Sequence, residues 1–450
     1  MKKFITAIKN IWNHEELRGK ILLTLGILLI YRVGSWILLP GVDYSVVAQI
    51  TTRNADPSGG VSLTDMLGLF TGGAFNNMSI FALGVMPYIS ASIVIQLLGL
   101  AVPSVQKLQK EGESGRRKIN QWTRFLTVAI ALVQGPGYIY QYVVREGAVQ
   151  NPTALWTVTT VIILTCSTLF VMWLGEKITD KGIGNGTSLI IMTGIVSDIP
   201  GAIAREFSQQ TSFFFLIELA VMVIIIGLTI AVIQAVRRIA VTMPKMASGG
   251  GYLPQGEAAR SYIPLRLNAS GVMPIIFAQA IMFVPMFLQN YFQDSAILKS
   301  LADYQGWGYN ILLMVMIILF TFFYTAIVTN PQQIADDLKR NNNFVIGFKP
   351  GKDTADEIER ILDRITLPGG IFVALIAILP AIMMVLGLVK AQAFSQFFGG
   401  TSILITVGVI LDLLQQIESH LLSRHYDGLM QTGRVRGRNS GSNVQSSGYI

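Results

Sequence analysis

The chain has 450 residues, 52% of them hydrophobic and only 13% charged, and its mean hydropathy is +0.53. A soluble domain carries roughly 25% charged residues, so a soluble globular domain is excluded and a multi-span helical membrane protein is expected. The single cysteine, Cys166, excludes a disulfide framework or a cysteine metal site, and His14, His420 and His425 all lie in or beside polar segments, so no metal or other cofactor is expected.

Residues 1–20 carry Lys2, Lys3, Lys9, Arg18 and Lys20 and are read as a cytoplasmic segment. The apolar run 21–39 follows and ends at Pro40-Gly41. It is too long for a signal peptide and lacks a small-residue cleavage site, so it is the first predicted span.

Residues 62–99 are where the chain is most unusual. Leu63–Phe70 is a short apolar run, broken by Gly72 and Gly73, and a long apolar run begins after Phe75-Asn76-Asn77. As a helix the first run covers less than half of a bilayer core about 30 Å thick, whereas the second is long enough to span. A half-length helix at membrane depth must be buried in protein or line a wet cavity. The stretch therefore reads either as a re-entrant half-helix beside a full span or as an amphipathic loop on the membrane surface.

Further apolar runs fall at about 76–99, 122–143, 154–174, 183–204, 213–235, 270–290, 308–329, 368–389 and 400–421, which with the first makes ten. Of the 34 Lys and Arg, 28 then lie on the side that holds the N-terminus. Arg53, Arg145, Arg205, Lys299 and Lys390 lie on the other, and Arg32 is inside the first span. By the positive-inside rule both termini are cytoplasmic. The predicted fold class is an all-α polytopic membrane protein. Its two halves, 21–206 and 207–423, would have five spans each and opposite starting sides, which makes them candidates for inverted repeats.

Two cytoplasmic loops, about 236–269 and 330–367, are longer than a simple connection needs and point to docking of a cytosolic partner. The first carries Arg237, Arg238, Lys245, Arg260, Arg266 and a flexible tip at Gly249–Gly251; the second carries Lys339, Arg340, Lys349, Lys352, Arg360 and Arg364, with a helix expected over 353–365. Basic loops also attract anionic lipid. The basic tail, 424–450, ends in an Arg-, Ser-, Gly- and Asn-rich stretch expected to be disordered. Within the spans, Arg32 and Glu218 are close enough to the outer ends to snorkel, while Asp412 is deeper and should face protein.

Five stretches resemble the SecY family, the central subunits of the bacterial protein-conducting channel. They are FTGGAFNNMSIFALGVMPYISASIVIQLL (70–98), EGESGRRKI (111–119), MWLGEKITDKGIGNGTSLII (172–191), NPQQIADDLKRNNNFVIGFKPG (330–351) and FGGTSILI (398–405), in order over nearly the whole chain. The resemblance implies two five-helix halves around an hourglass pore. It places an apolar ring at Val85, Ile89, Ile191, Ile276 and Ile405, with a sixth position on Thr187, where the family is commonly aliphatic. An apolar constriction blocks ions by dewetting without gripping a passing peptide.

The resemblance puts a plug helix at about 62–73, including Leu67, Phe70, Gly72 and Gly73, held weakly enough to move aside. A lateral gate would run between the second and third helices and the seventh and eighth, with Ser90, Gln134 and Gln279 as polar candidates facing each other or the pore. Partner docking would use Arg238, Lys245, Arg260, Lys349 and Lys352. Lys349 stands where the family usually has arginine, and lysine loses the forked donor geometry. The implied partners are the SecE and SecG subunits, the SecA motor ATPase, the ribosome and preproteins that carry signal peptides. The implied place is the bacterial inner membrane, and the role is not enzymatic, consistent with the lack of a GxxxxGK[ST] phosphate loop.

Two other classes compete. A small-solute transporter with inverted repeats predicts a polar site at mid-membrane, with Asp412 the candidate proton carrier. An intramembrane protease needs a Ser–His pair or paired aspartates at depth, and Asp412 has no obvious mate.

Overall fold

The computed structural model describes residues 15–53, 68, 71–149, 152–209, 212–242, 260–268, 271–291, 298, 300–301, 306–341, 343–385 and 400–431. Its helices in chain order are α1 (Glu15–Gly34), α2 (Tyr44–Arg53), α3 (Met86–Ala101), α4 (Pro103–Lys110), α5 (Glu113–Tyr138), α6 (Ala154–Lys181), α7 (Gly186–Gln209), α8 (Ser212–Gln234), α9 (Met273–Tyr291), α10 (Trp307–Val328), α11 (Pro331–Arg340), α12 (Lys352–Val385) and α13 (Gly400–Gln431). A π-helical segment, Ile139–Val144, extends α5. Among the described residues, six helices are long and apolar enough to cross a membrane, and Met86–Gly99 and Met273–Met282 are shorter apolar helices. The protein is thus a multi-pass membrane protein.

The second apolar run is helical only in its latter part. Residues 76–85 form turns, with Gly84 at φ +51°, and α3 begins at Met86 with Val85 as its N-cap. Proline in the first turn fixes φ at a helical value without losing an internal hydrogen bond, so Pro87 sets the start of the helix here. The expectation of one full-length span over 76–99 is corrected to turns followed by a 16-residue helix.

A second correction concerns the all-α class. The two long loops contribute a three-stranded sheet, β1 (Val236–Thr242), β2 (Arg260–Arg266) and β3 (Phe344–Val345), in the order β2-β1-β3. All pairs are antiparallel; Val236 is opposite Arg266, and Val241 is opposite both Ser261 and Val345. Ile239, Val241, Leu265 and Val345 pack with Ile358 and Leu362 of α12 into a core of their own. Side chains alternate across a strand, which puts Ile239 and Val241 on the buried face and Arg238 on the other; Arg237 shares the face of Ile239 but is exposed at the start of the strand. The two loops therefore form one small domain rather than two separate arms. The helix expected over 353–365 is the opening of α12, which runs through Pro368 into the apolar segment without a break.

The two halves meet through α7 and α13. Gln416 Oε1 accepts from the Gly184 amide at 2.8 Å, and a Cβ on Gly184 would lie 2.7 Å from Leu413 Cδ2. The neighbouring residue of the same helix ties in the sheet: Arg266 Nη2 donates to Gln415 Oε1 at 2.8 Å.

Candidate functional site

The five aliphatic residues of the expected ring lie at or near the starts of four helices. Val85 caps α3 and Ile89 follows one turn later, with the Ile89 amide donating to the Val85 carbonyl at 3.0 Å. Ile191 is in the second turn of α7, whose first turn is capped by Asn185 Oδ1 accepting from the amides of Thr187 (3.1 Å) and Ser188 (3.3 Å). Ile276 is in the first turn of α9, and Ile405 follows Gly400, which opens α13 at φ +69°. All five are buried, and all belong to one apolar cluster. Thr187 is half-buried, beside Gly175 of α6.

A cavity of about 400 Å³ lies next to this cluster. Ser90 of α3, Gln134 of α5 and Gln279 of α9 all line it, as do Ile89 and Ile276. The structure therefore brings the three expected gate residues to one space, walled otherwise by apolar side chains such as Phe75, Leu97 and Ile281. Gln279 also makes a helix–helix contact: its Nε2 donates to Thr401 Oγ1 of α13 at 2.8 Å. Its Oε1 is buried and has no hydrogen-bond partner among the described residues. An apolar pocket with a few polar groups suits an apolar peptide segment, whose side chains it desolvates.

Leu67 and Phe70 lie outside the described residues, as do Lys245, the Gly249–Gly251 tip and the tail beyond residue 431. Gly72 and Gly73 are described, at φ +63° and +80°. Arg260 takes part in β2. Arg238, Lys349 and Lys352 are exposed on the small domain.

Three membrane charges differ from expectation. Arg32 does not snorkel outward; its Nη1 donates to the Gly72 carbonyl at 2.7 Å. Glu218 is buried rather than reaching the outer face. Asp412 is exposed rather than turned into protein, with the charge of Arg266 acting on it. Physically, a guanidinium that can satisfy a nearby backbone carbonyl gains more from that partner than from a stretched route to water. Sequence reasoning missed the contribution of Tyr31 and Tyr138, whose hydroxyls donate to the carbonyls of Thr71 (3.1 Å) and Phe75 (3.0 Å). The available signal was a phenol within an apolar run, since a buried tyrosine hydroxyl usually finds a partner.

The SecY family model matches residues 79–414, which include the five ring positions, Ser90, Gln134 and Gln279 of the cavity and the small-domain strands described above. The protein translocase subunit SecY of Streptomyces coelicolor is 39% identical over 95% of this chain and 100% of its own length. Among solved structures, a SecY whose plug domain is described as stabilising the closed state of the translocation channel matches with a TM-score of 0.59, covering 90% of this chain and 93% of that one at 16% identity. The idle yeast Ssh1 complex bound to the yeast ribosome matches with a TM-score of 0.60, over 88% and 89%, at 15% identity. The structural likeness speaks to the fold, and the sequence likeness, spread over almost the whole length, speaks to descent: the chain belongs to the SecY family.

Proposed function

We propose that the chain is the central channel subunit of a protein translocase, passing unfolded secretory polypeptides across the bacterial inner membrane and releasing apolar segments sideways into lipid. The observation that carries this reading is the single cavity shared by Ser90, Gln134 and Gln279, placed beside the large apolar core that includes Val85, Ile89, Ile191, Ile276 and Ile405. A constriction that must exclude ions yet pass any sequence needs deformable apolar walls, and a segment leaving sideways needs an apolar space next to it.

In this reading ten spans form two inverted five-helix halves around an hourglass pore, with both termini cytoplasmic. The segment about 62–73 is the plug. The exposed cations Arg238, Lys349 and Lys352 form the docking face for a motor ATPase of the SecA type or for the ribosome, and SecE and SecG subunits and anionic lipid surround the channel. Chemical work is done by the partner, and the channel itself has no enzymatic role. A solute transporter is less well supported, because it calls for a polar site at mid-membrane, whereas the cavity here is walled mainly by apolar side chains.

The test is crosslinking to a stalled secretory substrate that carries single cysteines. Val85→Cys and Ile276→Cys, each made with Cys166→Ser, should bond to the substrate only when motor and ATP are present. A substrate that never reaches either position under those conditions would overturn the channel reading.

A further inference from the structure

The turn Thr71–Phe75 is held from several sides. From α1, Tyr31 Oη donates to the Thr71 carbonyl at 3.1 Å and Arg32 Nη1 donates to the Gly72 carbonyl at 2.7 Å. From α5, Tyr138 Oη donates to the Phe75 carbonyl at 3.0 Å. A Cβ on Gly72 would lie 2.7 Å from Gly194 Cα, so the turn rests directly on the backbone of α7. Asp198 of α7 stands close to Gly73, and its charge acts on Arg32 together with the face of Trp36, 5.6 Å away. Tyr31 is 1% exposed and stacks on Phe81 with ring centroids 5.9 Å apart. Its ring is thus packed in place independently of the hydrogen bond it donates to Thr71.

The other side of this turn faces the gate cavity, since Thr71 and Phe75 line the same space as Ser90, Gln134 and Gln279. One short stretch of backbone is therefore gripped by α1 on one side and forms part of the cavity wall on the other. The carbonyl at Gly72 is part-buried and its donor is charged, which makes this the stronger kind of hydrogen bond.

We propose that Tyr31 and Arg32 are positioning residues that clasp the Thr71–Phe75 turn against α7 and keep the resting channel sealed. An apolar substrate segment that fills the cavity loosens this clasp through Thr71 and Phe75. The clasp therefore sets how apolar a segment must be to open the channel. This inference rests on the channel reading above.

The experiment uses the full chain reconstituted with its partner subunits. Arg32→Gln and Tyr31→Phe are compared with the parent for resting ion conductance. They are also compared for transport of two substrates, one with a full-strength apolar signal segment and one weakened by a polar insertion. Losing one such hydrogen bond should raise transport of the weakened substrate about tenfold. Resting conductance should rise with it, and transport of the full-strength substrate should change by less than about twofold. Arg32→Lys keeps the charge and should fall between parent and Arg32→Gln. If Arg32→Gln fails to accumulate, Tyr31→Phe decides, because it removes one hydroxyl and keeps the ring on Phe81. A parent that transports both substrates in the expected order, with folded variants that conduct and discriminate as the parent does, overturns the clasp alone. A parent that transports no polypeptide overturns the channel reading and the clasp with it.

Discussion

A methyl group added to Gly186 would overlap the backbone carbonyl oxygen of Gly175, whereas one added to Gly227 meets nothing within 4 Å. Backbone cannot rotate away as a side chain can. Gly186→Ala is therefore expected to destabilise the protein by about 1–3 kcal/mol, as overpacking does, while Gly227→Ala stays within about 0.5 kcal/mol of the parent. Thermal unfolding in detergent measures both. The same corner of α6 and α7 positions Ile191, so ring substitutions belong to this scale as well. Ile191→Asn and Val85→Gly should each raise resting single-channel conductance several-fold, one by wetting the constriction and the other by removing part of its wall. Unchanged conductance in both would count against the ring. Individual residues were legible only in part. The aliphatic ring positions rest on their motifs, because the order of apolar and small residues survives in a linear reading, and all five are buried in the apolar core. The role of Arg32 was not legible, because its partner is the carbonyl of Gly72, forty residues on, and a carbonyl has no sequence signature.

At the scale of elements, the helix at 353–365 was readable from its pattern of acids, bases and apolar residues. The sheet was not. The half of β1 that is buried amounts to Ile239 and Val241, and the partners that cover them, Leu265, Val345 and Ile358, are brought in from far along the chain. Seven residues opening with Val-Arg-Arg look from sequence like the basic end of a span. The start of α3 was equally hidden, since Gly84 and Pro87 shorten a run that hydropathy alone makes continuous. The small domain is predicted to depend on its own core. Ile358, 1% exposed, should on truncation to alanine cost about 2–5 kcal/mol locally. Limited proteolysis of Ile358→Ala should cut within the two loops faster than in the parent, while the membrane helices keep their protection.

For the whole molecule, the charge pattern and the apolar runs were enough to place the chain among multi-pass membrane proteins, because both follow from the bilayer rather than from particular contacts. The exposed cations Arg238, Lys349 and Lys352 make the proposed motor docking an electrostatic matter. Arg238→Glu, exposed on β1, should weaken motor association and motor-driven transport, and it should flatten the dependence of association on ionic strength. Association measured across a salt series checks this, and a slope equal to that of the parent would remove Arg238 from the docking face. The sheet has one more consequence, and it concerns time. Val241 pairs with Val345, about a hundred residues later in the chain, and a ribosome adds about 5–20 residues each second. The hairpin of β1 and β2 can close early. Its apolar face, with Ile239, Val241 and Leu265, then waits roughly 5–20 seconds for Val345 and α12, while α9 and α10 are being threaded into the membrane. The birth of this channel thus includes an interval in which its cytoplasmic domain is half built and sticky, and it is then that the nascent chain most needs shelter.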